Sequence, residues 1–491
     1  MDDKINTNYF RQKFTDNPDV NFNEIKVNNN AALRVTVAFI DGMVSSQLID
    51  DYVLKPLFQE NALGSARDQR QLLDIMMLGA VYHCQRKLCD TVSDCMGELL
   101  SGSAVVIFDE IGSAAAFDVK GFDKRGISEP SNEGVLKGSK EAFIEVMRTN
   151  TALVRRRIQS ESLQINTQRV GRHSQTAVSV VYLDGVACPE TVAAVKERLS
   201  AIDIDGICTA GQIETFLLGR RGSVFPQMLY TERADKFCAN ILEGRVGLII
   251  DGLPMAYIMP VDLVAFFQAP EDYAHGNIVG SLLRILRFGC ALVALTLPAL
   301  YVAMTSFHQE MLPTRLAVTI IGNAQAIPFP TYMEVLLLIL AFEVLLEAGL
   351  RLPQPIGQSV SIVGGLVVGQ AAIFAGILSP GVIMVVATAG ISGFVLPSQD
   401  LSTAIRLFRA ALVILAIIGG LFAITLGLIF ILYRMCLLEA FGTPYLSPFA
   451  GSDGRGMWRD TVLRSSWRKS AKRPANIFVQ NSNRQGPSND T

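Results

Sequence analysis

The sequence predicts an α/β soluble N-terminal domain, built from two related subdomains, followed by an α-helical polytopic membrane domain. Three observations carry this. Long apolar runs crowd the stretch from Phe288 to Met435: Phe288–Phe307, Thr331–Leu350, Gln358–Leu378, Gly381–Leu396 and Ala410–Tyr433. A helix needs about 20 apolar residues to cross hydrocarbon, and three or four of these runs reach that length without a charge. The chain before residue 287 instead alternates strand-like and helix-like patterns between short polar turns. Finally, landmarks in that part recur at a fixed separation.

The length of 491 residues leaves room for two or three domains. The organisation expected is a flexible leader (1–30), a first α/β subdomain with its linker (31–165), and a second subdomain with the approach to the membrane (166–286). A helical transmembrane domain (287–436) and a basic cytosolic tail (437–491) follow. Met1–Arg34 is polar and holds no signal peptide, so the soluble part is expected in the cytosol. A net charge of −2 gives no pointer to a nucleic-acid partner. The eight cysteines form no CxxC pair, and Cys84, Cys89 and Cys95 lack zinc-site spacing, so free thiols are expected.

Each element follows from local pattern. Leu33–Ile40 alternates as a strand, ends at Asp41-Gly42 and leads into a helical stretch, Ser45–Phe58. Thr176–Leu183 does the same, with Asp184-Gly185 and the helix Glu190–Ile202. The closing portions correspond too. A helix at Asp90–Leu100 stops at Gly102, Ala104–Phe108 is a strand, Asp109 turns it, and Ala114–Val119 returns. In the later copy the helix is Thr231–Leu242, stopped by Gly244, with strand Val246–Ile250, turn Asp251-Gly252 and return strand Met255–Met259. Asp41 and Asp184 are 143 residues apart, while Gly102 to Gly244 and Asp109 to Asp251 are each 142. Three agreeing landmarks predict a duplicated unit. Between the copies, a polar basic stretch leads to an amphipathic helix around Asn150–Arg157. It reads either as a solvated linker or as a docking surface for another subunit or for lipid headgroups.

No catalytic pattern is present. His83, His173, His275 and His308 are dispersed, and GxSxG, HExxH and P-loop motifs are absent from the sequence, so no enzyme and no cofactor are expected. The informative residues are polar groups in the apolar runs. Glu343, Glu347 and Arg351 fall at i, i+4 and i+8 on one helix face, with Glu347 and Arg351 able to pair. That leaves Glu343 beside a like charge. An ionisable group in hydrocarbon costs at least ~2.5–3.5 kcal/mol and so must face protein or water. Two readings stand: an ion path, or a structural network at a subunit contact. Gln370 reads as an interhelical hydrogen bond. Gly364, Gly365 and Gly369 place small residues on Gln358–Leu396, read as a helical hairpin packing against a neighbouring subunit or within its own.

Topology poses a parity problem. Arg284 and Arg287 precede the first run, and Arg455, Arg459, Arg464, Arg468, Lys469, Lys472 and Arg473 follow the last. Basic residues stay inside, so both ends inside demand an even number of crossings, against five runs. Either Thr331–Leu350, with its three glutamates, crosses incompletely, or Leu316–Ile327 adds an element.

Several stretches also resemble one family. Phe225-Pro226-Gln227, then Thr231-Glu232-Arg233-Ala234-Asp235-Lys236, running on to Leu242-Glu243-Gly244-Arg245-Val246, are similar to the signature of the GerA spore-germination family, A-subunit type. So are Ser306–Thr314, Glu347–Pro353, Pro355–Gln358, Gly369–Ala372 and Gly442–Pro448, and the resemblance covers about residues 30–450. It marks Thr231, Glu232, Arg233, Asp235, Glu243, Gly244 and Arg245 as signature residues. It implies a multi-pass A subunit of a nutrient germinant receptor in the spore inner membrane, beside B and C subunits, as a homo-oligomer contributing to an ion-release channel. The alternatives are a SpoVAF-like accessory, a scaffold for the other subunits, or a transporter. Against a charge-lined path, this chain has Ile339, Leu346 and Phe374 where the family pattern often carries charges. No repeat follows residue 288, which argues against alternating access between matched halves.

Overall fold

The computed structural model describes residues 4–30, 33–60, 63, 66–80, 85–121, 130, 133–134, 138–207, 209–219, 223–325, 327–351, 369–449 and 461–464. The soluble part contains two five-stranded antiparallel sheets of one topology. The first uses β1 (Val20–Lys26), β2 (Arg34–Ile40), β3 (Arg86–Cys89), β4 (Ala104–Phe108) and β5 (Ser113–Phe117), in the order β1-β2-β4-β5-β3. The second uses β6 (Leu163–Val170), β7 (Thr176–Leu183), β8 (Leu229–Thr231), β9 (Val246–Ile250) and β10 (Ala256–Met259), in the order β6-β7-β9-β10-β8. Even the register repeats: Val37 opposes Val106, and Val180 opposes Leu248.

The helices repeat with the strands. Copy one has α1 (Thr7–Lys13), α2 (beginning at Ser46–Ile49 and running through Asp50–Leu54 into Lys55–Gln59), α3 (Gln69–Ile75) and α4 (Val92–Leu100). Copy two has α5 (Met147–Arg157), α6 (Pro189–Ser200), α7 (Ala210–Leu218) and α8 (Ala234–Leu242). Gly102 and Gly244 take φ of +94° and +98°, which closes α4 and α8 in the same way. The amides of Ser103 and Arg245 then donate back to the carbonyls of Glu98 and Asn240, a Schellman closure.

Asp109 and Asp251 do more than turn the chain. Asp109 accepts from the Thr7 amide at 2.7 Å and from its hydroxyl at 2.9 Å, while Asp251 accepts from the Met147 amide at 3.1 Å. Each therefore caps the helix that opens its own copy, about a hundred residues earlier. This also corrects the expectation of a flexible leader over residues 1–30. The described part of that segment is α1 and edge strand β1, with Ile5, Phe10 and Phe14 buried. Its polar composition hid a first helix whose cap lies far along the chain. A second correction concerns Thr231, Glu232 and Arg233. They end β8 and lead into α8 rather than forming its first turn.

Helix α5 joins the copies. Ala152 packs into the first copy, and Leu153 and Val154 pack into the second. Between them Arg155, 1% exposed, places Nε and Nη2 at 2.7 and 2.9 Å from the Asp19 carboxylate. Its other contacts are the Asn17 side chain at 2.9 Å and the Leu163 carbonyl at 3.0 Å. The helix after the linker is thus an internal bolt, neither solvated nor free for docking along this face.

The helical domain comprises α9 (Glu271–Ala274), α10 (Asn277–Ser306), α11 (Thr314–Gln325), α12 (Thr331–Arg351), α13 (Gly369–Phe374), α14 (Pro380–Phe394) and α15 (Gln399–Cys436). Among the described residues, α10 and α15 are long and apolar enough to cross a membrane. Helix α15 breaks at Gly419 and Gly420, where Gly420 takes φ +58°. Gly427 then lies against Leu412 and Leu415. In a continuous helix, residues fifteen apart stand about 22 Å away, so the two arms fold back on each other. The run Ala410–Tyr433, expected as one span, is a hairpin.

Candidate functional site

Two constellations connect the soluble and helical parts. At the joint, Phe225 stacks on Phe408 of α15 with centroids 4.8 Å apart, and Tyr445 packs against Phe225 and Phe266. The Leu263 amide donates to the Tyr445 carbonyl at 2.8 Å, and Phe267 stacks on Phe288 at 4.1 Å. Phe225 and Tyr445 come from signature stretches separated by more than 200 residues of sequence. Aromatic rings suit such a joint because they bury much area while losing few torsions.

The contacts order the helices along one axis. Phe288 of α10 sits beside the soluble domain, and Phe307, at its other end, packs on Gly420 at the tip of the α15 hairpin. Tyr301, near that distal end, meets Gly381 at the start of α14, whereas Gly393 near its end accepts from Ser402 of α15. Glu334, 1% exposed near the start of α12, accepts from the Ser379 amide at 2.6 Å. Glu343, further along α12, meets the proximal half of α15. Helices α12 and α14 therefore both run back toward the soluble domain.

Glu343 is held differently from the sequence expectation. Its carboxylate accepts from Arg406 at 3.0 Å and Arg409 at 3.2 Å, both on α15, so it is not left against a like charge. Glu347 and Arg351 pair as expected, at 2.6 and 2.9 Å, on an exposed turn. Phe408 lies between the two arginines in sequence and touches the soluble domain, which places Glu343 at the proximal boundary of the helices. Arg406 and Arg409 were not singled out by sequence, although they stand just ahead of the last apolar run. What sequence did not show is that α12 delivers Glu343 to them.

Gln370 is exposed and makes no hydrogen bond to another helix among the described residues. Gly369 has nothing within 4 Å of a built Cβ, so it makes no close contact among the described residues. Gly364 and Gly365 lie outside the described residues. Close packing occurs later in the same stretch, where Gly390 meets Phe342 of α12 within the chain.

The signature around Thr231 forms a carboxylate socket on α8. Glu133, from the strap between the copies, accepts from the Thr231 hydroxyl, from the Glu232 amide at 3.2 Å and from Lys236 Nζ at 2.7 Å. Buried Arg233 pairs with Asp235 at 2.7 Å and donates to the Glu133 carbonyl at 3.3 Å. Glu243 and Gly244 close α8. Arg245, 3% exposed, reaches Asn240 at 2.8 Å and Asp262 at 3.6 Å. These residues are structural fasteners of copy two. Glu133 had no signal in sequence, being one acid in a polar strap.

Arg284 and Arg287 are also not free surface charges. Both are buried and share Asp272, with Arg284 Nε at 3.1 Å and Arg287 Nη1 at 2.7 Å. The tail returns to this point: Arg464 donates to the carbonyls of His275 and Tyr273, and its amide donates to the Ser281 hydroxyl at 3.0 Å. Residues 461–464 and the soluble domain therefore lie on one side of the helices.

The family model described as "Bacillus/Clostridium GerA spore germination protein" matches residues 8–476. The chain is 36% identical over 469 residues to spore germination protein KA of Bacillus subtilis (strain 168), spanning 95% of this chain and 85% of that one. It is 34% identical over 431 residues to spore germination protein B1 of the same organism, spanning 88% of each. Among solved structures, it is similar to the N-terminal domain of the A subunit of the Bacillus megaterium spore germinant receptor GerK3. That likeness has 27% identity and a TM-score of 0.43, and covers 53% of this chain and 97% of that one. The chain belongs to the Bacillus/Clostridium GerA family of spore germination proteins.

Proposed function

We propose that this chain is the A subunit of a nutrient germinant receptor in the spore inner membrane. It acts there with B and C subunits and with further copies of itself, and contributes to an ion-release channel without enzymatic chemistry or a cofactor. The observation that carries this is the family match across soluble and helical parts together, on a chain whose second α/β copy is packed directly onto apolar helices. In this reading α10, α12, α14 and the two arms of α15 cross the bilayer, with the soluble domain and tail both cytosolic. The hairpin supplies the additional crossing that five runs lacked. Helices α12 and α14 run in the same direction, and residues 352–368 between them lie outside the described residues.

Nutrient-triggered germination of spores lacking this chain tests the role. Failure restored by the wild-type copy is expected, while parental rates on every nutrient that triggers the parent would contradict it. Ion flux from reconstituted protein separates a channel from a scaffold, and loss of flux in Glu343→Gln at normal protein level is what an ion path requires.

A further inference from the structure

The Glu343 centre does not balance its charge. One carboxylate faces two guanidiniums, and among the described residues no other acid is paired with either. Arg409 is 1% exposed, and the Nε atoms of Arg406 and Arg409 are buried donors without a partner among the described residues. The unresolved positive charge has an open edge: the Arg406 side chain is 27% exposed and that of Glu343 38%. Beside that edge lie Leu340, Val344 and Leu407, each more than half exposed, so it opens onto an apolar surface. A surplus cation among exposed aliphatic side chains is costly unless an anion meets it.

We infer that the phosphate of an anionic phospholipid headgroup completes this centre from the cytosolic leaflet, with Arg406 as its principal ligand. Depth supports this, because Phe408 meets the soluble domain at the same level, where headgroups lie. Chemistry supports it too. A guanidinium presents forked donors that match phosphate oxygens, and basic pockets between membrane helices on the cytosolic side take lipid headgroups. A second copy of this chain is the weaker source of the anion. Of the other acids on α12, Glu334 is buried against Ser379, and Glu347 is engaged by Arg351.

The inference rests on the membrane reading above. Purified full-length chain is placed in nanodiscs of phosphatidylcholine with and without phosphatidylglycerol, and retained lipid is counted by native mass spectrometry. Phosphatidylglycerol is expected to be retained preferentially, with that preference falling about fivefold in Arg406→Gln. Arg406→Lys keeps the charge and loses the fork, so partial retention is expected. If Arg406→Gln does not fold, the lysine variant decides: unchanged preference there overturns the fork as ligand. Equal retention of both lipids by the parent chain overturns the inference. So does equal stabilisation by inorganic phosphate, which assigns the centre to a free anion. A changed oligomeric state in Arg406→Gln with unchanged lipid retention assigns it to a partner's carboxylate. A chain recovered without detergent would instead sink the membrane reading.

Discussion

The two α/β copies share strand order, register, helix closures and long-range aspartate caps, yet they are finished differently. Copy one is closed by its own helices on both faces of the sheet: Val53, Leu57 and Leu72 on one side, Phe10, Phe14 and Leu99 on the other. In copy two one face is closed by α6 and α7, while the core of the other continues into Ala294, Ala299 and Leu412 of the membrane helices. The helix N-termini differ as well. In copy one Thr91 caps α4 with its own side chain, whereas α8 has no side-chain cap and Glu133 from the strap binds the Glu232 amide ahead of it and Lys236 in its first turn. A duplicated fold has thus been divided into a unit closed by its own helices and an adaptor to the apolar helices.

The largest effect expected from breaking this arrangement is at the bolt between the copies. Asp19→Ala leaves Arg155 buried without its carboxylate, and a loss of about 3–5 kcal/mol is expected in chemical denaturation of the detergent-solubilised chain. The position equivalent to Asp19 in copy two is Ser162, which binds no arginine, so Ser162→Ala is expected to cost far less. Equal losses would mean that Arg155 is not what joins the copies.

The caps sharpen the comparison at a smaller scale. Asp109→Ala and Asp251→Ala are each expected to cost about 1 kcal/mol, typical of a lost helix cap. Asp109 holds two hydrogen bonds and Asp251 one, so the copy-one variant is expected to lose more in the same melt.

The smallest effect is a pH dependence shared by both copies. Cys95 and Cys238 are 143 residues apart, at matching positions on α4 and α8. Burial pushes the Cys238 thiol up to about 12 and the Cys95 thiol higher still. An ionised thiol is thus favoured in the unfolded chain, where the value is 9.0. The contribution is complete below pH 9 and is lost as pH rises from there toward 12. Both thiols should resist alkylation at pH 8 until the chain is unfolded. Rapid labelling of either in the folded protein would show that its helix does not bury it.

Much of this was legible. Strands with plain alternation, such as Thr176–Leu183, and glycines needing positive φ stood out locally, and their spacing exposed the duplication. The apolar character of α10 and α15 was equally plain by length. What stayed hidden depends on distant partners. Residues 4–30 look polar and uncommitted until Asp109 caps α1, and Glu133 gains meaning only in the Thr231 socket. Arg284 and Arg287 look like surface charges until Asp272 is placed beneath them. The Gly419-Gly420 break reads as small residues for packing, since an apolar run gives no sign that its halves fold together.

The central claim is that the second copy carries the connection to the membrane helices. The direct measurement is nutrient-triggered germination of spores carrying Phe225→Ala or Phe408→Ala at the joint, compared with Asp109→Ala in copy one, with protein levels followed by immunoblot. At equal protein level, the joint variants are expected to fail or slow severely while Asp109→Ala germinates near the parental rate. Parental rates in both joint variants, or failure only in the copy-one variant, would contradict the account.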